Sequence, residues 1–112
     1  MKTKLKFTND ELIAANKLLQ KLYDLPFNQF ESTQKIFVSI GLDLADKFDK
    51  KCKSIIKKAN LFEQEKKHDT TLKFHEAWAL KNICVELFSW SENEYQKTQL
   101  QNIINKLDKW TK

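Results

Sequence analysis

The chain has 112 residues, with 20 lysines, no arginine and 15 acidic residues, and its formal net charge at pH 7 is +5. Its apolar fraction of 41% is too high for a disordered chain, and one glycine and one proline are too few for a many-stranded sandwich or barrel. Two cysteines are too few for a disulfide framework, and no apolar run is long enough to span a membrane, so we expect a cytoplasmic helical protein with no membrane association.

The first helix is predicted over residues 9 to 25. Thr8 and Glu11 form a capping-box pattern, apolar residues then recur at helical spacing, and Pro26 ends the run. Before this helix, Leu5 and Phe7 alternate with lysines. The alternation indicates a short extended N-terminal arm and is too brief to predict a strand.

A long second helix is predicted over residues 29 to 64. Asn28 and Glu31 repeat the capping pattern, and apolar residues follow at steps of three and four from Phe37 to Phe62. Gly41 lies on this apolar face, where it either lets another helix approach closely or divides the segment into two helices. We expect one long helix.

Two further helices are predicted in the second half of the chain. The polar segment 63 to 69 is interpreted as a connection, with Asp69 or Thr70 capping a third helix that ends near Phe88. Ser91 and Glu94 form the capping pattern of a fourth helix. Short connections favour antiparallel neighbours, so the predicted fold class is all-α, with one domain over residues 1 to 112 that forms an antiparallel bundle of about four helices.

The third helix is apolar on two opposite faces, and the second of these faces carries an aromatic patch of four residues: Phe74, Trp78, Val85 and, at its edge, Phe88. One interpretation is that the rest of the bundle covers both faces. The other is that the aromatic patch is a surface for homodimerisation or for docking of a partner, because large exposed apolar patches mark interfaces.

The second helix is strongly basic in its second half, where residues 47 to 60 contain a single acidic residue, Asp49. The six helix lysines of this segment are Lys47, Lys50, Lys51, Lys53, Lys57 and Lys58. Such a surface attracts the phosphates of nucleic acid. The alternative is a solvated helix face, because lysine is a common surface residue. Without arginine, nucleic-acid contacts are expected to reach the backbone only.

No motif for catalysis, metal binding or a cofactor is present in the sequence. His68 and His75 belong to no zinc motif, and Cys84 has no neighbouring base that would activate it. Glu76 falls within the apolar stripe of the third helix and needs a polar partner, for which Asn16 is a candidate. We therefore predict no catalytic residue, no metal ligand and no cofactor.

Two classes of function remain. The first is a small non-catalytic regulator or inhibitor that docks onto a protein or nucleoprotein through the aromatic patch, the linker residues Phe27 and Phe30, or the helix lysines. By analogy of size and composition, such a regulator would suit a mobile-element protein that blocks a host nuclease, for example an anti-CRISPR protein. The second is a sequence-nonspecific RNA- or DNA-binding protein that uses the helix lysines.

Overall fold

A computed structural model describes residues 2–25, 31–58, 67–91 and 93–111. In chain order these residues form β1 (Lys2–Thr8), α1 (Asn9–Gln20), a 3-10 turn (Lys21–Asp24), α2 (Ser32–Lys58), β2 (Lys67–Lys73), α3 (Phe74–Glu86), a second 3-10 turn (Phe88–Trp90) and α4 (Glu94–Thr111). The protein is thus mostly helical with four α-helices in the described residues, as predicted, but β1 and β2 pair in an antiparallel sheet, so the fold is not purely all-α.

The helices pack in a ring, in which α1 contacts α2, α2 contacts α3, α3 contacts α4, and α4 returns to α1. The interior is filled by large apolar side chains such as Leu19, Phe48, Leu80 and Leu107, all fully buried. Each buried side chain of this size contributes roughly 1.5–3 kcal/mol to stability. The apolar stripes of the sequence therefore become one core.

The first helix begins at the predicted cap. Glu11 N donates to Thr8 Oγ1 at 3.1 Å, and Thr8 N donates to Glu11 Oε1 at 2.8 Å, which completes the capping box. The α-helix ends at Gln20, earlier than predicted, and the chain continues as a 3-10 turn whose Leu22 is buried. The amphipathic pattern continues through this turn, which explains why the sequence predicted a longer helix.

The long second helix runs through Gly41 without a break. A Cβ atom at Gly41 would lie 2.4 Å from Ile83 Cδ1 and 2.7 Å from Leu22 Cδ1, so glycine is what allows α3 and the first 3-10 turn to approach α2. The helix begins at Ser32, later than predicted, and Glu31 N donates to Gln34 Oε1 at 3.1 Å. Asn28 and the predicted segment 59 to 64 lie outside the described residues.

The extended N-terminal arm is a full strand. It pairs antiparallel with β2, from Lys2 opposite Lys73 to Thr8 opposite Lys67. Alternate side chains of the ribbon, among them Phe7 and Leu72, are buried against the helices.

The predicted cap of the third helix is wrong, and so is the part of the predicted connection over residues 67 to 69, while residues 63 to 66 lie outside the described residues. Asp69 and Thr70 lie inside β2, and α3 begins only at Phe74. Lys73, in an extended conformation, precedes the helix, and its backbone N donates to Glu76 Oε1 at 2.8 Å. The capping acceptor therefore comes from inside the helix.

The fourth helix begins at Glu94, and its cap is Asn93 rather than Ser91. Gln96 N donates to Asn93 Oδ1 at 2.8 Å, whereas the Ser91 hydroxyl donates to the carbonyl of Phe88 at 2.7 Å. The third helix correspondingly ends at Glu86, before the predicted Phe88. None of the helices in the described ranges is both long and apolar enough to cross a membrane.

Candidate nucleic-acid interface

Two of the helix lysines reach across to the sheet. Lys47 Nζ donates to the carbonyl oxygen of Thr71 at 2.6 Å, and Lys51 Nζ donates to that of Asp69 at 2.7 Å. Both carbonyls belong to β2, so these ammonium groups attach α2 to the side of β2 that does not face β1. Their first role in this structure is to position the sheet.

Two other helix lysines are paired with carboxylates one helical turn earlier. Lys50 Nζ lies 3.1 Å from Asp46 Oδ2, and Lys53 Nζ lies 2.9 Å from Asp49 Oδ2. The hydrogen bond from Lys53 and, after it, the one from Asn16 lower the pKa of the Asp49 carboxyl.

These pairs reduce the positive potential of α2, because each places a negative charge beside the lysine. The side chains of Lys57 and Lys58 lie outside the described residues. The helix lysines whose side chains are described are thus all engaged within the protein.

A second basic surface lies on the solvent side of the sheet. Successive side chains of a strand point to opposite faces. One face of each strand packs against the helices, and the other is exposed. The exposed face carries five lysines and one aspartate, Asp69, a formal charge of +4, and we call it the ribbon lysine face: Lys2, Lys4, Lys6, Lys67 and Lys73.

The ammonium groups of the ribbon lysine face have no ion-pair partner among the described residues. Lysines two residues apart on one strand are about 7 Å apart, and the neighbouring strand lies about 4.8 Å away. The surface is therefore a compact array of unpaired positive charges on a hydrogen-bonded ribbon. In this respect it differs from α2, where carboxylates alternate with the lysines.

A partly buried ion pair holds the ribbon on the helices. Glu11 is 3% exposed, and its Oε1 lies 2.6 Å from Lys106 Nζ on α4. The same ammonium group donates to the carbonyl oxygen of Lys6 at 2.9 Å and lies 5.5 Å from the centre of the Phe7 ring. Three elements, β1, α1 and α4, are thus joined at one charged group, which fixes the orientation of β1.

The four residues of the aromatic patch do not share one environment. Trp78 is half-buried, with its ring edge-on to Phe37 at 6.2 Å between centroids, and Phe88 packs against the core. Phe74 is 43% exposed and Val85 is 52% exposed. The structure therefore places two of the four side chains against the core and two in solvent.

The polar residues singled out in the sequence have partners of their own. Asn16 Nδ2 donates to Asp49 Oδ1 at 3.4 Å, and Asn16 Oδ1 accepts from Gln20 Nε2 at 3.0 Å. Asn16 therefore links α1 to α2 and is not the partner of Glu76, whose carboxylate caps α3. His68 hydrogen-bonds through its ring Nε2 to the side chain of Asn9.

The two cysteines are buried and unpaired with each other. Burial raises the pKa of the Cys52 thiol to about 11 and that of Cys84 to about 12. The Cys52 thiol donates to the carbonyl of Leu12 at 3.4 Å. Neither thiol is activated as a nucleophile, because the reactive form is the thiolate. The described residues contain no group of three or more acidic, histidine or cysteine side chains that could hold a metal ion.

Comparison with known proteins found no matching family model, curated protein or solved structure. The candidate interface is accordingly defined by this chain's own residues. Three of its five lysines had a signal in the sequence, since Lys2, Lys4 and Lys6 alternate with less polar residues and so fall on one face of an extended segment. The two lysines of β2 had none, because Leu72 is the only large apolar residue of that strand.

Proposed function

We propose that the protein is a non-catalytic nucleic-acid-binding protein that contacts phosphates through the ribbon lysine face. The observation that carries this proposal is the array of five exposed, unpaired lysines on one side of a two-stranded ribbon. A polyanion gains most from such charges, because no internal ion pair has to be broken before a phosphate binds. This surface replaces the helix lysines as the proposed contact.

The chemistry of lysine sets the kind of recognition. An ammonium group is a compact point charge, whereas the bidentate contact to guanine is made best by the planar guanidinium of arginine, which this chain lacks. We therefore expect binding that is steep in salt and weak in sequence preference.

A regulatory or inhibitory role would follow from the same contact. A protein that covers phosphates on the guide or target strand of a nucleoprotein competes with that complex for its nucleic acid. Regulation of a nucleoprotein would therefore be a consequence of nucleic-acid binding. The protein would contact the nucleic acid of that complex.

The test is a fluorescence-anisotropy titration of a labelled oligonucleotide at several salt concentrations. If all five lysines contact phosphates, log K falls against log[salt] with a slope of about −3.5 for a single strand and about −4.5 for a duplex. Affinity for the single strand then falls roughly 100-fold between 50 and 200 mM salt. Absence of a complex at 50 mM salt would refute the proposal.

Two triple variants distinguish a specific surface from net charge. In the first, Lys2, Lys4 and Lys6 are each replaced by glutamine, which should reduce the magnitude of the single-strand slope by about 2. In the second, glutamine replaces Lys50, Lys53 and Lys97, which are exposed or partly exposed and paired with neighbouring carboxylates.

Both variants remove three positive charges, so an effect of net charge alone would weaken nucleic-acid binding equally in the two. We expect the second variant to bind nearly as the wild type does. Equal losses in the two variants would show that the ribbon lysine face is not the contact.

A further inference from the structure

An exposed aromatic ring stands at the end of the ribbon lysine face. Phe74 directly follows Lys73, so their Cα atoms are about 3.8 Å apart, and Lys73 lies opposite Lys2 in the ribbon. Among the phenylalanines whose side chains the structure describes, Phe74 alone is exposed, at 43%, while Phe7 and Phe48 are buried in the core. Its ring is therefore exposed to solvent at the position next to Lys73 in the chain.

We propose that the ligand of the ribbon lysine face is single-stranded nucleic acid, with one of its bases stacked on Phe74. This inference depends on the proposed function and narrows it. Proteins that bind single strands without sequence preference combine a positively charged track for the backbone with aromatic rings on which bases stack. The lysines supply the first component and Phe74 the second.

The choice of a single strand over a duplex follows from what each can offer the ring. In a duplex both faces of an internal base are already stacked on its neighbours, so Phe74 would gain nothing unless the base were unstacked at a cost. In a single strand a base can leave its neighbours and cover the ring. Stacking of this kind is sequence-tolerant, because every base has a π face. Base stacking on Phe74 therefore suits this surface, which has no arginine to read a base sequence.

The experiment compares three probes at one low salt concentration: a labelled oligothymidylate, the same strand in a duplex, and inorganic polyphosphate, which has the charge without bases. We expect the wild type to bind the single strand more tightly than either of the others at equal phosphate concentration. The Phe74→Ala variant should bind oligothymidylate roughly 5- to 150-fold more weakly, because one stacked base contributes about 1–3 kcal/mol. Its binding of polyphosphate and its salt slope should not change.

The matched control is Val85→Ala, which removes another exposed apolar side chain from the same helix. Its Cα lies about 16 Å along the helix from that of Phe74, so binding of all three probes should remain unchanged. The variant Phe74→Trp keeps an aromatic face and should retain binding of oligothymidylate.

Two failures are distinguishable. If Phe74→Ala binds the single strand as the wild type does, or if the duplex binds as tightly as the single strand, the stacking inference is overturned while phosphate binding stands. If none of the three probes binds, the proposed function itself is overturned, and a protein partner becomes the explanation for the lysines.

Discussion

Replacing Lys106 by methionine tests the partly buried ion pair that attaches β1 to the helices. The substitution keeps most of the side-chain length against Phe7 but leaves the Glu11 carboxyl group, which is 3% exposed, without its ammonium partner. Removing one partner of a fully buried pair costs about 3–5 kcal/mol. Lys106 is 32% exposed, and Glu11 keeps its hydrogen bond from Thr8 N, so water and the capping box offset part of this loss. We expect Lys106→Met to reduce the free energy of unfolding by about 2–3 kcal/mol.

Urea denaturation followed by circular dichroism measures this loss as a lower midpoint at an unchanged slope. The matched control is Lys97→Met on the same helix, because Lys97 pairs at 3.6 Å with the 92% exposed Glu94 and should contribute less than about 0.5 kcal/mol. The double variant Glu11→Gln with Lys106→Met removes both charges and should be more stable than Lys106→Met alone. The reasoning is refuted if Lys97→Met costs as much as Lys106→Met, or if the double variant recovers nothing.

Three further predictions concern the core. Trp78→Ala should reduce the free energy of unfolding, measured by urea denaturation, by about 2–3 kcal/mol, because the half-buried ring packs against the core. The mass of the protein in solution should not change. A changed mass with unchanged stability would assign Trp78 to an interface. Gly41→Ala should cost about 1 kcal/mol, because overpacking exceeds the gain in helix propensity. The cost should be smaller in an Ile83→Val background, which removes the closer of the two Cδ1 atoms in conflict; equal costs in both backgrounds would contradict this. Cys52 and Cys84 should not react with a thiol reagent at pH 8 until the protein unfolds. Since their pKa values are about 11 and about 12 when folded, the unfolded state releases these protons first, and stability should fall as pH rises above 9; reaction of the folded protein at pH 8 would refute the burial argument.

The helices were predictable because their signals are local. Thr8 and Glu11 meet within one turn, and the core positions of α2 recur every three or four residues, so each helix can be inferred from a short window. The helix boundaries were less accurate, because several residues near an end can cap it, as Asn93 does in place of Ser91.

The sheet was not predictable from local pattern. β1 is only seven residues long, and its partner strand begins 59 residues after β1 ends, so no short window contains both. β2 contains one large apolar residue, Leu72, and its Thr70 is buried although threonine is usually exposed. The pairing is decided by packing of both strands on the helices, which is a property of the whole chain.

The lysines predicted from the sequence and the lysines proposed from the structure lie on different elements. The basic segment predicted from the sequence begins at residue 47 and so excludes Asp46, which pairs with Lys50. No local pattern indicates that Lys47 and Lys51 reach the sheet. On a helix, a lysine is partly neutralised when an acidic residue lies four positions away, because the two side chains are then neighbours. The unpaired charges come instead from two segments far apart in sequence.

Three lysines beside the ribbon hinder another strand from pairing with its edges: Lys47, Lys51 and Lys106. A two-stranded ribbon has two open edges, and an exposed edge can recruit a strand from another molecule and start aggregation. Here Lys47 and Lys51 hold carbonyl oxygens on the β2 edge, and Lys106 holds one on the β1 edge, so an incoming strand would have to displace ammonium groups before it could pair. The ribbon can therefore stay exposed on one face while copies of the protein meet at high concentration without joining edge to edge.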